Sequence, residues 1–171
     1  MNRIKPGQHI SNLKLTKLDK NTWPNDSVEL PRYYLLSIYR GLQCSHCKKT
    51  LQALDAAMPE LRARGIDVIA ASADNWERAK QAAENWNLNN LPLAYDFDID
   101  LARQLGLYIS TSIRPQEMPV FTEPGLFLIQ PDQRLFAAWI SSYPFARPDI
   151  DEILNCIDFI ESNSRPPRGT E

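Results

Sequence analysis

The amino-acid sequence predicts an α/β fold in which helices cover both faces of a sheet, and three observations carry that reading. Residues 33–39 form a compact run of aromatic and aliphatic side chains with little alternation, the pattern of a strand buried on both faces. Apolar residues then recur at Leu51, Leu54, Met58 and Leu61, the three-or-four spacing of one helix face. Residues 67–72 are a second buried-strand run followed by a second helical stretch, so strands and helices alternate along the chain.

Each element has a local reason. Leu13 and Leu15 precede two turn-like segments, Asp19-Lys20-Asn21 and Pro24-Asn25-Asp26, and so predict a small hairpin ahead of the first central strand. Gly41 ends that strand. Pro59 cannot donate to the carbonyl four residues back, so the helix that follows must kink or restart there, and Gly65 stops it. Asp74 and Glu77 have the spacing of a capping box for a helix running to about Trp86. Residues 93–95 suggest a short strand, and residues 99–105 a short helix closed by Gly106. Residues 110–124, with Pro115, Pro119 and Pro124, predict a long loop leading to strands at 126–130 and 135–140, joined at Pro131-Asp132-Gln133. Ile150, Ile153, Leu154, Ile157 and Ile160 mark a last amphipathic helix, with Asp149 and Asp151 favourable at its positive end.

Composition narrows the function. With 171 residues a core forms without disulfide staples, and one domain over 1–171 is expected, with 1–32 an extension and 162–171 a mobile tail. Lys and Arg number 19 against 21 Asp and Glu, a net charge of -2, which offers no field for nucleic acid or an anionic membrane surface. The apolar runs at 68–73 and 126–129 are far shorter than the ~20 residues a membrane helix needs. Lys5, Pro6, Gly7 and Gln8 stand where an export signal needs an unbroken apolar stretch, so a cytoplasmic setting is expected.

The chemistry is concentrated in Cys44-Ser45-His46-Cys47, which follows a predicted central strand and opens a helix. A thiolate there is stabilised by unpaired backbone N–H groups and by the helix dipole, and its pKa can fall to about 3.5–7.5. A fall from about 8.5 to about 6.5 raises the thiolate fraction at pH 7 from roughly 3% to roughly 75%, while nucleophilicity drops about tenfold. The larger benefit is that a sulfur of low basicity leaves easily. His46 when charged, and Arg40 if it folds back, would tune the pair. Zinc would need about four ligands, and only His9 and Cys156 remain as candidates. A static bridge does not suit the expected compartment, and haem attachment needs His where Lys48 stands. Cys156 falls on the apolar pattern of the last helix and reads as a small core residue. No cofactor is required for thiol exchange.

The segment from Tyr39 through Arg40, Gly41, Leu42 and Gln43 to Cys44, Cys47 and Lys48 resembles the active-site entry of the peroxiredoxin-like branch of the thioredoxin superfamily, related to alkyl hydroperoxide reductase and thiol-specific antioxidant. Ser72-Ala73-Asp74, Glu123-Pro124-Gly125 and Pro144-Phe145-Ala146-Arg147-Pro148 are similar too. The resemblance implies a thioredoxin-like fold with a central mixed sheet and an N-terminal hairpin extension. It implies that Cys44 attacks a disulfide or hydroperoxide, that Cys47 resolves the product, and that Pro124 is a cis-proline facing them beside a groove. Reduction would come from an external thiol such as a thioredoxin-type protein or glutathione. Typical peroxiredoxins carry proline seven residues and threonine three residues before the attacking cysteine, where this chain has Ser37 and Gly41. The threonine hydroxyl is therefore missing, and Arg40, Arg114 and Arg147 are the cations that could replace it as donors. The competing expectation is a redox-inert binding module that uses the groove beside Pro124.

Overall fold

Fully buried strands set the frame. In the computed structural model, which describes residues 3–25 and 29–171, β3 (Tyr33–Ile38) and β4 (Ile66–Ala71) lie side by side in parallel, from Tyr33 against Ile66 to Ile38 against Ala71. All six residues of β3 are buried, because successive side chains feed two different cores. Leu35 enters a cluster with Val68, Leu51, Leu54, Leu61, Ile153 and Ile157. Leu36 and Ile38 point the other way, into a cluster with Ile69, Leu101, Leu105, Leu13 and Trp23. Two-sided burial explains the lack of alternation in the sequence, and each such Leu or Ile contributes about 1.5–3 kcal/mol.

The N-terminal hairpin is present as β1 (Leu15–Lys17) and β2 (Thr22–Trp23), antiparallel with Leu15 opposite Trp23. Asp26 of the second expected turn lies outside the described residues. The helix after the site forms in two pieces, α1 (Ser45–Ala56) and α2 (Met58–Ala63), with Pro59 in the first turn of α2 where its missing N–H costs nothing. Asp55, near the end of α1 and almost fully buried, accepts the backbone N–H groups of Asn90 (2.7 Å) and Leu91 (2.8 Å). Asp55→Ala strands both donors, so it is expected to lower unfolding free energy by about 2–4 kcal/mol, read as a shifted urea midpoint with an unchanged slope.

The chain continues through α3 (Trp76–Asn85), β5 (Leu93–Tyr95) and α4 (Ile99–Gln104). The cap of α3 is not the expected one. Asn75 caps the helix by accepting Arg78 N–H at 3.0 Å, while the carboxylate of Asp74 is drawn into the site described below. Residues 110–124 are also more ordered than the prolines suggested: β6 (Ile109–Thr111) and β7 (Val120–Thr122) pair as a separate antiparallel hairpin. Three-residue strands carrying Ser110, Thr111 and Thr122 have no apolar period to reveal them, and Pro115 and Pro119 belong only to their connecting loop.

β8 (Gly125–Ile129), β9 (Leu135–Ile140) and α5 (Ile150–Asn163) complete the fold. The helix extends slightly beyond the expected tail boundary at residue 162, and Ser164 caps it in the left-handed conformation. The seven-stranded sheet has the order β2-β1-β5-β4-β3-β8-β9. Parallel β3–β4 and β4–β5 pairs beside antiparallel β3–β8 and β8–β9 pairs make it mixed, and helices pack on both faces.

Candidate active site

The site grows from the C-terminal end of β3. Tyr39 N–H still bonds Ala71 O of β4 (3.0 Å), after which residues 41–44 turn back, with Cys44 N–H donating to Gly41 O (3.0 Å). That turn needs Gly41, whose φ is +130° and whose missing Cβ leaves room for the carboxylate of Asp74. Cys44 is then the N-cap of α1, extended at φ −96° and ψ 100°, and its Sγ accepts Cys47 N–H at 3.2 Å. The sulfur thus occupies the position where a serine or aspartate oxygen usually caps a helix, with the positive end of the dipole behind it. The two sulfurs lie within disulfide-bonding reach, their Cα atoms 5.2 Å apart. Both cysteines are buried, Cys47 with no exposed surface and Cys44 with 4%.

One flanking residue departs from expectation. Arg40 does not fold back onto the thiols; its guanidinium sits 3.1 Å from Glu123 and 4.0 Å from Glu117, over the ring of Phe121. The Arg40 Nε–Glu123 Oε2 contact is an ion pair without hydrogen-bond alignment, and the other oxygen of Glu123 accepts Ser110 O–H at 2.7 Å. Two buried carboxylates beside one guanidinium outcompete a sulfur for it. The ring of His46 packs on Phe145, with centroids 3.8 Å apart, at the wall of a groove of about 1210 Å³.

The Glu123–Pro124 bond is trans, contrary to the cis-proline implied by the resemblance; the cis peptide among the described residues is Trp23–Pro24. Glu123 N–H donates to Tyr108 O and Ser141 N–H donates to Pro124 O, so an extended trans step carries the chain from β7 into β8 with both flanking bonds made. The carbonyl of Pro124 is therefore occupied by Ser141, although Pro124 does line the groove.

In the sequence Arg147 is one of three candidate cations and part of the 144–148 segment that carries the resemblance. The structure singles it out. Its Nη1 stands 3.9 Å from Cys47 Sγ, and it also lines the groove, whose wall includes Cys156 but neither Cys44 nor Cys47. Arg147 makes no ion pair among the described residues, and burial pushes its pKa below the ordinary arginine value. Arg114 is exposed on the 112–119 loop. The segment at residues 144–148 carries part of the resemblance, but nothing in it placed Arg147 beside Cys47, because 100 residues separate the two. Cys156 is half-buried on α5 against the core that holds the cysteine pair, and burial followed by the charge of Glu152 raises its thiol pKa. Among the described residues, no three His, Cys, Asp or Glu side chains gather as a metal-binding group, and His9 bridges Arg134 through the backbone.

A vicinal thiol pair whose first sulfur caps a helix at the end of a central strand defines a thiol oxidoreductase of thioredoxin-like fold. The family model described as AhpC/TSA matches residues 6–138, and the chain belongs to this peroxiredoxin-type family. Comparison with curated proteins gives no match. Among solved structures, peroxiredoxin 6 of Arenicola marina is similar at a TM-score of 0.74 and 20% identity, over 95% of this chain and 76% of that one. Peroxidoxin BcpB from Mycobacterium tuberculosis is similar at 0.72 and 19%, over 92% and 99%. Reduced Prx3 from Vibrio vulnificus in complex with hydrogen peroxide is similar at 0.73 and 17%, over 90% and 99%. These three likenesses are of fold. Family membership together with the paired sulfurs makes the chain a thiol-based oxidoreductase of peroxiredoxin-like type.

Proposed function

We propose that Cys44 is the attacking thiol and Cys47 the resolving one. The observation that carries this is the place of Cys44 Sγ on the N-terminus of α1, one N–H away from Cys47. With a hydroperoxide, the Cys44 thiolate takes the terminal OH group and becomes a sulfenic acid, while the O–O bond breaks and the departing alkoxide takes a proton from solvent. The Cys47 thiol then displaces water and closes the Cys44–Cys47 disulfide. With a disulfide substrate, Cys44 forms a mixed disulfide, and attack by Cys47 releases the second thiol. An external dithiol donor of thioredoxin type, or glutathione, restores both thiols. No helix among the described residues is long and apolar enough to cross a membrane, and a reducing, cytoplasmic setting suits a pair that must be re-reduced.

The threonine hydroxyl of typical peroxiredoxins has no counterpart at Gly41, and Ser37 is buried on β3. Arg147 is the cation left near the sulfurs. When a reductant attacks Cys44, the departing Cys47 thiolate forms beside this guanidinium. Arg147→Met is therefore expected to slow reduction of the disulfide by dithiothreitol about three- to tenfold, with Arg147→Lys retaining most of the rate, both followed by stopped-flow.

The test of the whole reading is a redox titration of Cys44 and Cys47, followed by turnover with a hydroperoxide and with a protein disulfide. A reversible two-electron couple near cellular potentials supports it, and the two substrates separate peroxidase from disulfide exchange. A pair that stays in one state across those potentials would return the redox-inert binding module, against which family membership and the adjacent sulfurs now count.

A further inference from the structure

Asp74 is the least expected group near the site. It has no exposed surface, and a carboxylate removed from water costs several kcal/mol unless its oxygens are fully partnered. Its neighbour Asn75 already caps α3, so Asp74 is not needed for that helix. Its partners instead face the cysteine loop. Leu42 N–H donates to Oδ2 at 2.7 Å, and Arg78 Nε donates to Oδ1 at 2.7 Å. A Cβ on Gly41 would come within 2.9 Å of both carboxylate oxygens, so the carboxylate rests directly on the backbone of the turn.

Arg78 extends the same arrangement. Its Nη2 donates to Gln43 Oε1 at 2.7 Å and to Gln116 O at 3.0 Å, while Gln43 Nε2 donates to Arg40 O at 3.1 Å. The turn is thus fixed at Leu42 by its backbone, at Gln43 by its side chain and at Arg40 through Gln43. Arg78 also ties it to the 112–119 loop, whose Glu117 approaches Arg40. Cys44 itself contributes to this scaffold only its N–H, which donates to Gly41 O.

We propose that Asp74 and Arg78 are positioning residues for the thiol chemistry: the pair locks the turn at residues 41–43 and thereby holds Cys44 Sγ against Cys47 N–H. This inference rests on Cys44 being the reactive thiol. Without the pair, the turn keeps a glycine in an open pocket, and the sulfur is free to leave the helix terminus. A thiol away from that terminus titrates nearer the ordinary cysteine range and reacts more slowly at neutral pH.

The test is alkylation of the reduced full-length protein with iodoacetamide between pH 5 and pH 9, resolved by peptide mass spectrometry so that Cys44, Cys47 and Cys156 are followed separately. In Arg78→Met and Asp74→Asn the pH midpoint of Cys44 is expected to rise, and its rate at pH 7 to fall about fivefold or more, with partial rescue in Arg78→Lys. Wild-type pH profiles in folded Arg78→Met and Asp74→Asn, whatever their melting temperatures, would overturn the inference. Should those variants not fold, Gln43→Leu decides, because it cuts the link to Arg78 and leaves the buried ion pair intact. A rise in its midpoint with about a twofold loss of rate supports the inference, and an unchanged profile overturns it. A wild-type Cys44 that titrates like an ordinary cysteine would instead remove the underlying assignment of the reactive thiol.

Discussion

Cys44→Ser is expected to abolish turnover, by at least about a thousandfold, with hydroperoxide and disulfide substrates alike, because a serine hydroxyl at the N-cap stays protonated and is a poor nucleophile toward sulfur or peroxide. Cys47→Ser should behave differently. It loses multiple turnover, yet its first half-reaction proceeds and leaves a stoichiometric adduct on Cys44, a mixed disulfide with a disulfide substrate or a sulfenic acid with a hydroperoxide. Intact-protein and peptide mass spectrometry locate the adduct. The asymmetry follows from position: Cys44 Sγ caps α1 and accepts Cys47 N–H. Adduct formation on Cys47 in the Cys44→Ser protein would reverse the two roles.

Gly41→Ala is the substitution with the second largest expected effect, and here stability and chemistry fall together. The backbone at φ +130° is one that a Cβ opposes, and the added methyl would meet Asp74 and Gln43 at 2.9 Å. Neither neighbour can yield without breaking a bond, since the buried carboxylate is bound to Leu42 and Arg78 and Gln43 Oε1 accepts Arg78 Nη2. A loss of about 2–4 kcal/mol in urea unfolding is expected, with slower alkylation of Cys44 in the protein that remains folded. Gly65→Ala is the matched control. Its φ of +71° is also strained, but the nearest atoms belong to the flexible Arg32 side chain at 3.7 Å, so it should cost only about 1 kcal/mol and leave Cys44 unaffected.

What could be read from the chain was whatever depends on neighbours in sequence. The buried run at 33–39, the break at Pro59, the strand at residues 93–95 and the thiol pair at a helix start all carry their cause within a few residues. The same holds for the last helix, where Asp149 stands at the N-terminus as its position suggested and, beyond that expectation, accepts Glu152 N–H at 2.9 Å as the cap. Failures came where a distant partner decided the outcome. Asp74 has a good capping sequence around it, but Leu42 and Arg78 claim both its oxygens. Arg40 lies beside the cysteines in sequence and turns to Glu123, whereas Arg147 is remote in sequence and reaches Cys47. The β6–β7 hairpin was invisible for a related reason: its pairing, and not its composition, makes it a hairpin. The geometry at Pro124 likewise answers to Tyr108 and Ser141.

One atom serves both the folding of α1 and its reactivity. While Cys44 is bonded to an incoming molecule, its sulfur carries less charge to offer the first amides of the helix, and that end is weakened by a fraction of the roughly 1 kcal/mol a good capping group supplies. A captured intermediate would therefore fray at the segment that carries Cys47, loosening the second sulfur when it has to move. Closing the ring releases the visitor but leaves the sulfur uncharged, so the helix regains its full cap only when reduction restores the Cys44 thiolate.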